Sequence, residues 1–89
     1  MITEPAPETV DAVIEACAML LGPMGKRAGI GSFLDSDLAF DPLHRQTLAQ
    51  ELDEAYLIAI PDAAVFEWQT VRDVAITVDQ LRMRAGVRQ

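Results

Sequence analysis

A single histidine and a single cysteine are the side chains of this 89-residue chain best suited to nucleophilic or acid–base chemistry. His44 has no partners at a spacing that would build a catalytic triad or a metal site. Cys17 lies on an apolar stripe, where a cysteine acts as a small core hydrophobe. We interpret His44 as a solvated residue in the first turn of a helix. These residues predict neither a catalytic site nor a metal site, so we expect the chain not to be an enzyme.

The pair Gly25-Lys26 resembles the end of a phosphate-binding loop, but the surrounding residues do not fit one. Arg27 stands where such a loop has Ser or Thr, and Leu20 stands where it has its first glycine. The pair is therefore interpreted as loop composition.

The charge distribution argues against nucleic acid and anionic membranes as partners. Seven Lys and Arg stand against fourteen Asp and Glu, which gives a formal charge of −7, whereas phosphate binding needs clustered basic side chains. All fourteen acids lie in residues 1–79, and the last ten residues contribute only arginines to the charge. The sequence predicts an acidic body with a basic tail.

One cysteine permits no intramolecular disulfide, and a reducing compartment is the expectation. The longest uncharged run, Ala16 to Gly25, is about half of what a bilayer span needs. The first basic residue is Lys26, so no signal peptide is predicted. We expect a cytoplasmic protein, and nothing in the sequence calls for more than a monomer.

Apolar residues at helical spacing divide the chain into elements. A lead-in over residues 1–7 precedes a helix with an apolar stripe from Val10 to Leu21, which Gly22 and Pro23 end. The long segment from Gly22 to Phe40 carries enough apolar residues to be an ordered loop pinned across the helices.

Asp41 and Pro42 predict the start of the next helix, as N-cap and first helical residue. This helix would run to about Tyr56, with one set of residues inward and a second set mostly outward. The inward set is Leu43, Leu48, Leu52, Ala55 and Tyr56; the outward set is His44, Arg45, Gln46, Gln50, Glu51, Asp53 and Glu54.

A packed loop, a short helix and a last long helix complete the prediction. Leu57 to Ile60 is the loop, and Ala63 to Trp68 suits one or two helical turns in which Phe66 and Trp68 pack in the core or at its rim. Thr70 and Asp73 predict a capping box for the last helix, which gives way to a basic tail at residues 83–89.

These elements predict an all-α fold: a small antiparallel four-helix bundle of three long helices and one short one, with a long first loop. With 51% apolar residues, the chain is long enough for one domain, with its core at about residues 8–81.

An ordered set of motifs supports a more specific interpretation. The motifs are Asp37-Leu38-Ala39-Phe40-Asp41-Pro42-Leu43, then Leu52-Asp53-Glu54-Ala55-Tyr56, then Ile60-Pro61-Asp62, then Thr70-Val71. Together they resemble the acyl carrier proteins of fatty acid and polyketide synthesis, over residues 8–81. In that family a serine between Asp and Leu carries 4′-phosphopantetheine. Asp41 and Leu43 match, but Pro42 stands between them and has no hydroxyl.

The resemblance therefore implies an acyl-carrier-like protein without its prosthetic group, acting as a protein-interaction module in lipid, fatty acid or polyketide synthesis. No cofactor is expected at Pro42. One alternative is a working carrier with an unorthodox attachment at Ser36, which also follows an aspartate. Another is a bundle that binds a lipid non-covalently.

The resemblance also implies a docking surface for a biosynthetic enzyme or another protein with a complementary surface. Carrier proteins present acids along the helix that starts at the attachment serine, and the charges give association rate and orientation. Here the first two turns carry His44, Arg45, Gln46 and Thr47 instead. The residues expected to bind the partner are Leu43, His44, Arg45, Gln50, Glu51, Asp53, Glu54 and Ile60.

Overall fold

The computed structural model describes the backbone of residues 4–87, together with their side chains except those of Met24 and residues 85–87. The helices are α1 (Pro7–Leu21), α2 (Pro23–Lys26), α3 (Pro42–Tyr56), α4 (Asp62–Glu67) and α5 (Val71–Val87). The predicted all-α four-helix bundle is confirmed, with α1, α3 and α5 as its long helices and α4 as its short one. The single-turn helix α2 follows α1 and was not predicted.

The lead-in is held by the bundle, and the expectation that it reaches residue 7 is wrong. Pro7 is the first residue of α1, a position where proline loses no helical hydrogen bond. The Asp79 carboxylate of α5 accepts hydrogen bonds from the Ala6 amide at 2.7 Å and from the Thr9 hydroxyl at 2.6 Å. Thr9 is fully buried, and this contact satisfies the only polar atom of its side chain.

The segment between α1 and α3 is ordered, as predicted. Gly22 ends α1 with φ +72° and donates to the Ala18 carbonyl, and α2 then folds back onto α1. A side chain at Gly25 would meet the Cys17 carbonyl oxygen at 2.4 Å, so only glycine allows this close approach. The glycine of the Gly25-Lys26 pair therefore has a packing reason.

The second half of this segment pairs with the chain just before α5. The Leu34 amide donates to the Gln69 carbonyl, and the Val71 amide donates to the Ser32 carbonyl. Leu34, Leu38 and Phe40 are buried in the core, as the pinned loop requires.

Helix α5 begins as predicted and ends later than predicted. Asp73 accepts from the Thr70 amide, and the Thr70 hydroxyl accepts from the Asp73 amide, which is the predicted capping box. The helix continues to Val87, so the expected tail is wrong for residues 83–87, and residues 88–89 lie outside the described chain. Arg84 lies in the last turn of α5, where its charge complements the free carbonyl groups of the helix end.

The core is formed by the predicted stripes of α1, α3 and α5 with the short helix against them. Val13, Cys17, Leu48, Leu52, Val74 and Val78 are among its fully or almost fully buried side chains. Leu43 and Ala55, predicted to face inward, are exposed, and so is Phe66, which was predicted to pack in the core or at its rim. Trp68 is buried, as expected.

Candidate functional site

The start of α3 is built by a reciprocal cap around Pro42. The Asp41 carboxylate accepts from the His44 amide at 2.7 Å, and His44 Nδ1 accepts from the Asp41 amide at 3.2 Å. His44 Nδ1 also lies 3.2 Å from Oδ1 of Asp41, so the two side chains are in direct contact. Pro42 is exposed and follows Asp41 directly, as predicted for the N-cap and the first helical residue. The prediction that His44 is simply solvated is incomplete, since its ring is part of the cap.

Arg45 points into the bundle, and the prediction that it faces outward is wrong. Its guanidinium donates to the carbonyl oxygens of Val65 at 2.9 Å and Trp68 at 2.6 Å, and to the Asp35 carboxylate at 3.0 Å. The side chain is only 12% exposed. Arg45 therefore fastens the first turn of α3 to the end of α4, where free carbonyls favour a cation.

Leu43, beside Pro42, is the most accessible apolar residue of this turn, at 71% exposure. Thr47 is one helical turn further on, and its hydroxyl donates to the Leu43 carbonyl. Leu43 and Gln50 are two turns apart, which places them on one side of α3, and Glu54 is one turn beyond Gln50. The exposed Leu57 follows directly after the last residue of the helix. We call these four residues the α3 face.

The acidic end of α3 is only partly available to a partner. Glu54 is exposed, whereas Glu51 and Asp53 are half-buried. Asp53 uses its carboxylate to accept from the Ile60 amide at 2.9 Å, which folds the chain after α3. Ile60 itself lies in the core. Of the residues expected to bind a partner, Leu43, Gln50 and Glu54 lie together on the surface, whereas Arg45 and Ile60 are turned inward.

Leu57 ends α3 in an unusual conformation. Its φ and ψ of 56° and 49° are left-handed, and its side chain is 89% exposed. Glycine is the residue favoured at such a position, because a Cβ is strained there. The preceding residue, Tyr56, is fixed by the Arg82 guanidinium 4.8 Å from its ring centre.

Ser36 is exposed, but its two neighbouring aspartates are engaged in the fold. Asp35 pairs with Arg45, and Asp37 accepts from the Phe33 amide at 2.8 Å. The other nearby serine, Ser32, accepts from the Gly29 amide. The acidic context of Ser36 thus has a structural reason.

Cys17 is fully buried, and burial raises its pKa to about 11. A thiol with so high a pKa is a poor nucleophile at neutral pH, which agrees with its assignment to the core. The described residues contain no group of three or more metal-ligating side chains. Over the same part of the chain, every helix is too short or too polar to cross a membrane.

A groove of about 540 Å³ separates α4 from α5 and was not foreseen from the sequence. Ala64, Glu67 and Trp68 line one side, and Ile76, Leu81 and Arg84 line the other. We call this feature the α4–α5 groove. The only signal for this groove in the sequence is Trp68, which was predicted to pack in the core or at its rim. A tryptophan at the rim of a core can also line a cleft.

No protein-family model matches this chain, and none of the curated proteins matches it.

Proposed function

We propose that this chain is an acyl-carrier-like protein that bears no prosthetic group at residue 42 and acts as a protein-interaction module linked to fatty acid, lipid or polyketide synthesis. The observation that carries the proposal is Pro42, exposed at the first position of α3. A phosphodiester to pantetheine needs a hydroxyl, which proline lacks. The complete cap formed by Asp41 and His44 supports the view that the helix tolerates proline at this position without loss.

The partner that suits the α3 face is a protein with apolar pockets and a basic side chain. Leu43 and Leu57 project from this face, and Glu54 lies between them along the helix. Isolated exposed leucines are ordinary, but a leucine at each end of one helix with an acid between them offers both anchor and orientation. The first turn offers no acid except Asp41, which is engaged in the cap, so a partner selected for an acidic first turn would fit poorly.

The proposal gives the chain no catalysis of its own and a cytoplasmic location. Its one cysteine is a buried thiol, and its one histidine is engaged in a helix cap. Burial raises the pKa of the Cys17 thiol, and the carboxylate beside His44, that of Asp41, already accepts the amide hydrogen bond of the α3 cap. Catalysis in the process it serves would belong to its partners.

The intact mass of the protein purified from its own host tests the missing group. We expect the mass of the unmodified chain. An increment equal to one phosphopantetheine would contradict the proposal. If that mass increment disappeared in a Ser36→Ala variant, the alternative function would be correct, namely a working carrier with its prosthetic group attached at Ser36.

Restoring the hydroxyl tests how far the surface has diverged. A Pro42→Ser variant, incubated with coenzyme A and a phosphopantetheinyl transferase, should be modified at least tenfold more slowly than an ordinary acyl carrier protein. The reason is that charges on the first turns of the helix set the association rate, and here they are absent or engaged. Modification at the ordinary rate would mean that Pro42 is the single departure from a working carrier.

Site-specific photo-crosslinking in the host tests the protein-interaction part of the proposal. A benzophenone amino acid replaces Gln50 on the α3 face, or Glu15 on the exposed side of α1 as the matched control. We expect a protein cross-linked from position 50 and much less from position 15. Equal or absent cross-linking at the two positions would contradict a role for the α3 face.

Non-covalent lipid binding is the second candidate, because the α4–α5 groove has the volume of a small-ligand site. Native mass spectrometry of the protein from its host tests it directly. A lipid retained at one per chain would support this candidate, and a lipid-free spectrum would remove it.

A further inference from the structure

The helices α3 and α5 begin with the same kind of cap, built with acceptors of different chemistry. Asp41 and His44 form the capping box of α3, and Thr70 and Asp73 form that of α5. In both boxes the third helical residue accepts from the backbone amide of the residue that precedes the helix. In α5 this acceptor is a carboxylate, whereas in α3 it is an imidazole nitrogen. The cap of α3 therefore depends on the protonation state of a histidine.

The two acceptors respond differently to pH. An imidazole ordinarily gains a proton between about pH 8 and pH 5, and a nitrogen that carries a proton can no longer accept a hydrogen bond. Carboxylates ordinarily keep their charge through this range, and so they keep their acceptor oxygens. Protonation of His44 therefore removes the bond from the Asp41 amide to Nδ1, whereas the bond from the Thr70 amide to Asp73 is kept.

The geometry around His44 also supplies a hydrogen bond for the protonated ring. Nδ1 lies 3.2 Å from the Asp41 amide and equally 3.2 Å from Oδ1 of the Asp41 carboxylate. A proton on Nδ1 therefore has an acceptor already in place. Oδ1 accepts from the His44 amide at 2.7 Å, and a carboxylate oxygen can accept a second hydrogen bond. Asp41 is exposed, so water can bond to its amide once Nδ1 no longer does.

Asp41 is the carboxylate in direct contact with the imidazole. From the segment before α3, the ring of Phe40 faces the imidazole, with the ring centres 5.5 Å apart. Among the described residues, no carboxylate of α1, α4 or α5 lies within 4 Å of the imidazole nitrogens. On α3 itself, Glu51 is two turns away, about 10 Å along the axis, and Arg45 directs its guanidinium to the carbonyls of α4. The ring therefore exchanges its bonds with one residue, Asp41.

The chain on both sides of this turn is held by hydrogen bonds that do not involve His44. Before the turn, Phe40 is buried, and its amide donates to the Leu34 carbonyl at 2.9 Å. After the turn, the Arg45 guanidinium donates to two carbonyl oxygens of α4. A change of bonding at His44 is therefore confined to residues 41–44, at the start of α3.

We propose that the cap of α3 is a pH-sensitive switch between two hydrogen-bonded states. When His44 is unprotonated, its Nδ1 accepts from the Asp41 amide. When His44 is protonated, its Nδ1 donates to the Asp41 carboxylate, and the Asp41 amide bonds to water. The exchange takes up one proton and needs little movement, because both Asp41 atoms lie at the same distance from Nδ1. The switch is a property of the fold and does not depend on the proposed function, although it acts on the turn that carries Pro42 and Leu43.

NMR spectroscopy of the full chain, labelled with nitrogen-15 and titrated from about pH 8 to about pH 5, tests the switch. His44 is the only histidine, so the imidazole nitrogen signals belong to it alone. We expect Nδ1 to resonate as an unprotonated nitrogen at the start of the titration. The Asp41 amide proton should then shift towards the position of a water-bonded amide, with the same midpoint as the imidazole. The Thr70 amide, bonded to Asp73, is the matched control in the same chain and should keep its shift.

His44→Gln is the conservative variant, because a glutamine carbonyl can accept from the Asp41 amide and does not titrate. In this variant the Asp41 amide should keep its shift over the same pH range, and a shift equal to that of the unaltered chain would overturn the switch. Three results in the unaltered chain would also overturn it, whether or not the variant folds. These are an Asp41 amide that does not follow the imidazole, a proton already on Nδ1 at about pH 8, and an equal shift of the Thr70 amide.

Discussion

At the start of α3, Asp41, Pro42 and His44 each occupy the position that their chemistry favours, whereas at its end Leu57 occupies one that its chemistry disfavours. The first turn has a complete cap and satisfied polar groups. The last residue is left-handed and exposes a large apolar side chain. Strain and exposure at one residue are typical of positions kept for a contact with another molecule. The start of α3 is thus stabilised by its own side chains, whereas its end is the part that, under the proposed function, would contact a partner.

The largest expected effect concerns the start of α3. Replacing Arg45 with Met keeps much of the apolar stem but removes three hydrogen bonds from a mostly buried guanidinium. We expect the free energy of unfolding to fall by about 3 kcal/mol, measured by urea denaturation, because two carbonyls at the end of α4 lose a charged donor.

Asp35→Asn is the matched control for Arg45. Asp35 is exposed, so its ion pair with Arg45 should contribute less than about 1 kcal/mol. If the two substitutions lower the free energy of unfolding equally, the start of α3 is stabilised by the exposed ion pair and not by the hydrogen bonds to the carbonyls of α4.

The titration of Cys17 in the core gives a reference for this comparison, because it does not depend on either end of α3. Burial raises the Cys17 pKa from 9.0 to about 11, so between these values the thiol ionises in the unfolded chain but stays protonated in the folded one. Stability should therefore fall as pH rises from 9 to 11, by up to about 2–3 kcal/mol. Urea denaturation at several pH values measures this loss, and Cys17→Ala should remove it. An equal loss in Cys17→Ala would assign the effect to other groups.

A substitution at the end of α3 should raise the free energy of unfolding, whereas Arg45→Met at its start should lower it. Leu57→Gly relieves a left-handed residue and removes an exposed apolar side chain, and we expect the free energy of unfolding to rise by about 1 kcal/mol. Gln50→Gly, in the exposed middle of the same helix, should lower it by about 0.5–1 kcal/mol.

The same Leu57→Gly variant tests the binding half of the contrast. It should reduce cross-linking from position 50 even though the protein is more stable. A loss of stability in Leu57→Gly would mean that Leu57 makes a contact worth more than the strain, and the contrast between the two ends would be broken.

The smallest expected effect is at Pro42. Pro42→Ser changes a residue at the first position of α3, where no helical amide bond is lost and the backbone is already helical. We expect the free energy of unfolding to change by less than about 0.5 kcal/mol, measured by urea denaturation. A larger loss would mean that proline at residue 42 serves the stability of the fold, and the proposal that this residue marks a missing attachment site would lose its support.

Features governed by local chemistry could be predicted from the sequence. The caps at Asp41 and Thr70 follow from side chains that reach their own backbone within three residues. The stop at Gly22 and the stripes of the long helices follow in the same way. These features need no knowledge of what lies across the bundle.

The errors concern residues whose environment is set by distant parts of the chain. Arg45 was placed outward because arginines usually are, but its partners are carbonyls of α4 whose position the local pattern does not contain. Leu43 was placed inward because it is apolar, yet the cap geometry turns it to solvent. The α4–α5 groove likewise depends on α4 packing against α3, a choice that the periodicity of α4 leaves open.

The bond network of Asp79 has a consequence for the order of folding. It joins Ala6 and Thr9 to the far end of the chain, and so it closes a loop that spans almost the whole bundle. Long loops are closed at the highest entropic cost, and contacts that close them tend to form after local helices and near neighbours. Contacts absent from the transition state slow unfolding more than they speed folding. The hydrogen bonds to the Asp79 carboxylate would then slow unfolding, and so extend the lifetime of the folded bundle, without hastening its formation.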